Sequence, residues 1–351
     1  MKKSLQIGSA FIGIVVGAGF VSGQEILLFF TSYGYLGIAG SILATILFAF
    51  LGMNLTQLGS RLQTTSHKKV IYHICGPYLG FVIDMVITCL LFGITIIMIA
   101  GAGVVFEEQF GLSTLVGSLI MAILTIISVT LNVQKVIGLI GAITPFLLVI
   151  VLIIAAYSVF YYDSSVDYKT VSAGTTPPVS HWGLSALLYV SYNIAAGVAM
   201  ITVIAGTVKN QKVAGWGGIL GGFGLGLLIL LMNISMLTQI DEIKNTSLPM
   251  VTLANNMHPI VGFFMAVVLI GMIYNTAVAM LYAFCARIVK PGKTSFKAFT
   301  LFSGTIAFFA SSLGFVYLIG TIYPVTGYLG ILLMAAIIVS WFTYRRKVVG
   351  T

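Results

Sequence analysis

The segment Ile14–Phe30, IVVGAGFVSGQEILLFF, decides how this chain folds. It lies within an apolar run long enough to cross a bilayer, yet it holds Gly17, Gly19 and Gly23 together with the polar Ser22, Gln24 and Glu25. A glycine in a helix interior costs about 1 kcal/mol relative to alanine. A carboxylate within a span costs on the order of 2.5–3.5 kcal/mol unless protein or water faces it. The combination predicts a transmembrane helix that unwinds near its centre, where the freed backbone meets a ligand, an ion or other protein groups.

Composition places that segment in a membrane protein. The 351 residues are 59% hydrophobic and 7% charged, with a mean hydropathy of +1.10, which leaves too little polar surface for a soluble globule. Apolar runs of about twenty residues recur along the chain, the helical pattern, whereas a barrel shows alternating segments of about ten. The amino-terminal pattern continues past its small residues to Phe30, so it reads as a retained first span and not as a cleaved signal. Spans are expected at 5–30, 36–61, 79–106, 115–131, 136–161, 182–208, 213–237, 260–288, 296–314 and 317–344. The fold class is therefore all-α, with about ten transmembrane helices in a single transmembrane domain covering residues 1–351.

The formal charge of +9 comes from 17 Lys and Arg against 8 Asp and Glu. With an even number of spans both termini lie on one side, and every Lys and Arg except Lys169 and Lys244 then falls on the cytoplasmic side. That bias is the positive-inside rule, and it accounts for the basic charge without a nucleic-acid partner; membrane lipids are the expected polyanionic neighbour. Glu107, Glu108, Asp163, Asp167, Asp241 and Glu242 fall in outer loops, which leaves Glu25 and Asp84 within spans. Asp84 sits roughly 8 Å from the inner edge of its span, within reach of interfacial water or a lysine. Glu25 is deeper and is the functional candidate.

Cys75, Cys89 and Cys285 offer no disulfide framework, and His67, His73, His181 and His258 lie in or beside loops without metal spacing. No nucleophile-and-base pattern accompanies them, so no catalytic residue, metal or cofactor is expected, and the protein reads as a non-enzyme. The segment Ser247–Pro259, SLPMVTLANNMHP, bracketed by Pro249 and Pro259, suits an outer loop with a short helix capping a pathway.

A faint internal repeat gives the first span its context. GSAFIGIVVGAGFVSG (8–23) opens span one and LSALLYVSYNIAAGVA (184–199) opens span six, while FLGMNLTQ (50–57) in span two answers LLMNISML (230–237) in span seven. Five spans separate the members of each pair, so the halves, about 5–161 and 182–344, enter the membrane from opposite sides. Inverted halves with a broken first helix in each are the plan of broken-helix transporters, so spans one and six are both expected to be interrupted.

The run GAGFVSGQEI (17–26), followed by YGYLGIAG (33–40), resembles the YkvI-like bacterial membrane proteins of the amino acid–polyamine–organocation superfamily, whose members share the LeuT-type fold. The resemblance covers essentially the full length, and LNVQKVIGLIGAITPFLLV (131–149) is more distantly similar to the branched-chain amino acid carriers. It implies a bacterial inner-membrane transporter with both termini cytoplasmic and a substrate between the breaks of spans one and six. The matching positions are Gly17, Ala18 and Gly19, with Ser22, Gln24 and Glu25 on the following half-helix, and Tyr192, Asn193 and Gly197 across from them. Tyr274, Asn275 and Thr276 of span eight resemble the patch that completes a cation site in sodium-coupled relatives, which use adjacent small hydroxyl residues where Tyr274 and Asn275 stand here. Proton-coupled relatives instead bring a lysine from span five; Lys135 lies at the cytoplasmic end of that element, where a topogenic role also accounts for it.

The expectation from these readings is a secondary transporter coupled to a proton or sodium ion, carrying a small amino acid or similar zwitterion by alternating access. Glu25 would face the substrate ammonium or the coupling ion. The rival expectation is a ligand-sensing receptor on a transporter scaffold, without net transport. Oligomeric state is left open by the sequence.

Overall fold

The first span is interrupted where its glycines fall. In the computed structural model, which describes residues 2–63, 67–131, 143–160 and 177–349, it forms three pieces: α1 (Lys2–Val15), α2 (Ala18–Ser22) and α3 (Gln24–Phe29). Gly17 is extended at φ −98°, ψ −178°, and Gly23 is left-handed at φ +83°. Gly23 is required twice over, by that φ and by space, since an added Cβ would lie 2.3 Å from Met236 Cε and 2.8 Å from Met250 Cγ. A 3₁₀ turn, Thr31–Tyr33, then leads into α4 (Tyr35–Leu62).

The rest is helical: α5 (His67–Phe110), α6 (Thr114–Leu131), α7 (Ile143–Phe160), α8 (Trp182–Gly206), α9 (Gln211–Thr238), the short α10 (Ile240–Ile243) and α11 (Pro249–Met257), then α12 (Pro259–Ile288), α13 (Thr294–Ser311) and α14 (Phe315–Val349). Gly76, at φ 72°, kinks α5 just before Pro77. Among the described residues, seven helices are long and apolar enough to cross a membrane: α4, α5, α6, α8, α9, α12 and α14. The broken first span, α7 and α13 lie under the other predicted spans. On α6, Leu115, Leu119, Ile123, Ile127 and Leu131 are exposed at helical spacing, an apolar stripe that water would penalise and lipid does not.

Span six corrects an expectation. It is the single uninterrupted helix α8. Its segment carries alanines and only Gly197 where span one carries three glycines, and the Asn193 amide donates to the Tyr189 carbonyl one turn back at 2.9 Å, bonding within the helix. Of the pair, only the first span is broken. Lys135 and residues 161–176 around the junction between the proposed halves lie outside the described residues.

What fixes the position of span one is α9. Two rows of glycines run along it. Gly218, Gly222 and Gly226 face α4, where added Cβ atoms would lie 2.3 Å from the Gly52 carbonyl oxygen, 2.4 Å from the Ala49 nitrogen and 2.1 Å from Thr45 Oγ1. Gly217 and Gly221 face α1, at 2.7 Å from Ile7 Cβ and 2.7 Å from Phe11 Cδ1. In lipid, where helix association depends on close packing and hydrogen bonds, such small-residue rows let backbones meet. Gly13, in contrast, has nothing within 4 Å of its Cβ position and serves no packing contact.

Some of the polar groups inside the bundle pair across helices. Thr31 Oγ1 donates to Asn233 Oδ1 at 2.9 Å, and Asn233 Nδ2 donates to Ser41 Oγ at 3.2 Å, which ties the end of span one to α4 and α9. Asp84 meets an arginine where the sequence suggested water or a lysine: Arg287 Nη1 of α12 lies 2.6 Å from its Oδ1 and also donates to Thr88 Oγ1 at 3.2 Å.

The contact pattern gives a direct test. Gly222→Val should destabilise the protein by at least about 1–3 kcal/mol, the usual cost of overpacking, whereas Gly13→Ala should be neutral or stabilising by up to about 1 kcal/mol. Thermal melts of the two purified variants would check the pair, and an unchanged melting temperature for Gly222→Val would contradict the close α4–α9 approach.

Candidate functional site at the break in span one

Glu25 sits in the first turn of α3 and is 4% exposed. The left-handed turn at Gly23 reverses the chain so that its carboxylate folds back over α2. A Cβ on Gly19 would lie 2.1 Å from Glu25 Oε1, so the oxygen rests against a bare α-carbon. The other oxygen accepts a hydrogen bond from Tyr192 Oη of α8 at 2.6 Å. The Tyr192 ring stacks on Tyr323 of α14, with centroids 4.4 Å apart and planes 5° apart, and Tyr189 meets it edge-on at 5.4 Å. Among the described residues the Tyr192 hydroxyl is the hydrogen-bond partner of the carboxylate, and the buried Tyr189 hydroxyl has no hydrogen-bond partner. Among the described residues no Lys or Arg forms an ion pair with Glu25.

The other candidate residues divide. Ser22 Oγ donates to the Gly19 carbonyl at 2.9 Å and accepts from the Gln24 N–H at 3.3 Å, so it braces the turn between α2 and α3. Gln24 is buried with its Oε1 unpartnered. Gly17 faces α12, with Thr276 Oγ1 3.9 Å from its Cβ position, and its N–H turns back to the Val15 carbonyl at 2.8 Å. Ala18 opens α2. Gly197 packs on Ile14, 3.3 Å from its Cβ position, at the end of α1. Asn193 is buried beside the cluster with its amide committed to the Tyr189 carbonyl.

Span eight is only partly drawn in. Thr276 lies at the break, while the Tyr274 hydroxyl pairs with Ser128 Oγ of α6 at 2.5 Å, away from Glu25. Asn275 is half-buried between them on α12. The proline-bracketed segment forms α11, whose Met250, Val251, Leu253 and Ala254 are buried, with Met250 against Gly23. His258 and His181 cap α12 and α8, their side chains accepting backbone N–H groups.

Sequence reasoning missed Tyr189 and Tyr323. The spacing of Tyr189 and Tyr192, three apart, places both on one face of a helix and was the available signal for the first. Tyr323 is one of many aromatic residues in an apolar span, and only the packing of α14 on α8 singles it out.

Comparison with known proteins follows this geometry. No family model matches the chain. It is 27% identical over 346 residues, 97% of each chain, to the uncharacterized membrane protein YkvI of Bacillus subtilis (strain 168). Among solved structures it is similar to Mhp1 in an inward-facing conformation, with a TM-score of 0.63 and 14% identity over 98% of this chain and 77% of that one. It is also similar to MhsT in complex with L-phenylalanine, with a TM-score of 0.58 and 16% identity over 94% and 88% of the two chains. A third match is the Eremococcus coleocola manganese transporter bound to an aromatic bis-isothiourea substituted compound, with a TM-score of 0.59 and 14% identity over 93% and 76%. At such identities the solved structures establish the fold, and the full-length relative agrees with the likeness read from span one. The chain is a multi-pass, all-α membrane protein with the LeuT-type fold, similar to YkvI along its length.

Proposed function

We propose that this protein is a cation-coupled secondary transporter of a small amino acid or similar zwitterion, working by alternating access at the break in span one, with residues 5–161 and 182–344 as its inverted halves. The observation that carries this reading is Glu25: a buried carboxylate held by a tyrosine hydroxyl at 2.6 Å, beside interrupted backbone, with no cationic side chain paired to it among the described residues. A buried charge persists only when it is paired or hydrogen-bonded. A substrate ammonium, a sodium ion or a proton is the partner that this site lacks.

The fold supports transport, since the solved neighbours are LeuT-fold transporters. The MhsT complex with L-phenylalanine favours an amino acid. A divalent metal cargo, suggested by the manganese transporter, finds less support, because among the described residues no three His, Cys, Asp or Glu side chains come together. Thr276 beside Gly17 is the remaining support for a sodium ion near the break. Tyr274, bonded to Ser128, supports none. We place the protein in the bacterial inner membrane with both termini cytoplasmic, and a receptor that binds without transporting is the competing reading.

Uptake into proteoliposomes tests the proposal. Amino acids should accumulate under an imposed proton or sodium gradient, and saturable binding without accumulation under any gradient would favour the receptor. Glu25→Gln preserves the shape and removes the charge. It should fold and reduce gradient-driven accumulation at least about tenfold, the scale of one charge-assisted hydrogen bond, and wild-type uptake by this variant across pH and sodium conditions would remove Glu25 from the mechanism. Gly19→Ala should give a similar loss in a folded protein, because its methyl group takes the place of Glu25 Oε1. For orientation, cysteine placed at Glu242 in a background without Cys75, Cys89 and Cys285 should react with an impermeant reagent from outside the cell; labelling only from within would invert the topology.

A further inference from the structure

Glu25 has fewer partners than an ionised carboxylate needs. Its Oε2 accepts from Tyr192 Oη at 2.6 Å, and its Oε1 rests on the bare α-carbon of Gly19. An ionised carboxylate offers about four lone-pair sites, and a buried charge is held by a cation or by several donors. Among the described residues neither is supplied. A neutral acid asks for less, since its own O–H becomes a donor. One turn before Tyr192 on the same face of α8, the buried Tyr189 hydroxyl stands without a hydrogen-bond partner, its ring edge-on to Tyr192 at 5.4 Å. An orphaned hydroxyl in a closed site calls for a partner that the polar atoms around it do not provide.

Of a substrate ammonium, a sodium ion and a proton, the surroundings of Glu25 admit the smallest. Phe29 meets Tyr189 at 5.5 Å and Tyr192 at 5.8 Å between ring centroids, and Tyr192 stacks on Tyr323 at 4.4 Å. Rings in such contact leave no gap for an ammonium group. A sodium ion in a broken helix is held by unwound backbone carbonyls, and here those carbonyls are in use. That of Val15 accepts from the Gly17 N–H, that of Gly17 from the Val21 N–H, that of Gly19 from the Ser22 hydroxyl and that of Phe20 from the Gly23 N–H.

The titratable neighbours are few. Among the described residues, those that face Glu25 are Tyr189 and Tyr192 of α8 and Tyr323 of α14. In the turn after α3, Tyr33 is bonded to the Val179 carbonyl, and on α12 Tyr274 is bonded to Ser128. Helices α9 and α11 bring Met236 and Met250 to the break, and α5 carries no charged residue between Asp84 and Glu107.

We propose that Glu25 carries the coupling proton, and that the closed arrangement of α2 and α3 is the one its neutral acid forms. The inference rests on the transport reading above and names the ion. A proton from water on one side forms an O–H bond at the carboxylate, and that bond breaks when the proton leaves to water on the other side; nothing is oxidised or reduced. Neutralisation lets α2 and α3 close against the tyrosines, and ionisation draws water to the acid and opens them.

The test uses the full-length protein in proteoliposomes, with a mixture of radiolabelled amino acids as the probe and the membrane potential held at zero. At equal sodium, an inward gradient of one pH unit should drive accumulation of up to about tenfold, the equilibrium limit for one proton per solute. A sodium gradient at equal pH should drive none. Glu25→Gln should lose accumulation yet keep exchange of labelled for unlabelled solute, which shows that it folds. Infrared spectra of wild type should contain, in the pH range of uptake, a protonated-carboxyl C=O band that Glu25→Gln lacks. Tyr192→Phe keeps the acid and removes its donor, so its uptake should stay proton-driven with the half-maximal pH displaced by at least about half a unit, the scale of one hydrogen bond. Sodium-driven accumulation that ignores the pH gradient would overturn this inference and leave the transport reading standing, whereas no accumulation under either gradient would remove both. The absence of a Glu25-dependent band, or an unchanged pH profile in Tyr192→Phe, would also overturn it.

Discussion

A carboxylate oxygen resting on the α-carbon of Gly19 is the contact around which this structure is arranged. For Glu25 to reach that position the chain must reverse at Gly23, which only a left-handed residue allows. The reversal in turn leaves α2 and α3 as pieces of five and six residues. Helices that short have little stability of their own, so their placement is dictated from outside. Tyr192 holds one end of the arrangement, Met236 and Met250 close over Gly23, and Ser22 braces the turn between them.

The surrounding helices can impose this placement because they approach more closely than side chains normally permit. The two glycine rows of α9 bring it against α4 on one side and α1 on the other, and both rows leave no room for a methyl group. The Thr31–Asn233–Ser41 hydrogen bonds then pin the end of span one to the same two helices. Backbone packing sets the frame, and the polar contacts choose the register within it. In a bilayer this division is natural, because apolar surface gains nothing by leaving lipid for another apolar surface.

Much of this was legible in the chain. Ten predicted spans meet helices wherever the structure describes them, because hydropathy over about twenty residues is a direct consequence of bilayer thickness. Glu25 and the Gly17–Gly19 break were legible for a related reason: an acid and clustered glycines conflict with a plain span. Span six was misread, since similarity to a glycine-rich stretch does not reproduce its effect when alanines occupy the same places. The glycine rows 217/221 and 218/222/226 were present in the sequence as a spacing of four, yet which helix each row meets depends on the fold. The pairing of Tyr274 with Ser128 and the stack of Tyr192 on Tyr323 join residues far apart in the chain, and nothing local announces them.

The unbroken α8 has a mechanical consequence. Its 25 residues make a rod of roughly 37 Å at 1.5 Å per residue, long enough to reach from one aqueous phase to the other. Tyr192 is fixed near the middle of that rod and cannot leave Glu25 by local uncoiling. Backbone motion separates the pair when the whole rod pivots or when α2 and α3 swing away, and a pivot moves the two ends in opposite directions. The Tyr192–Glu25 hydrogen bond thereby ties the placement of α2 and α3 to the tilt of α8.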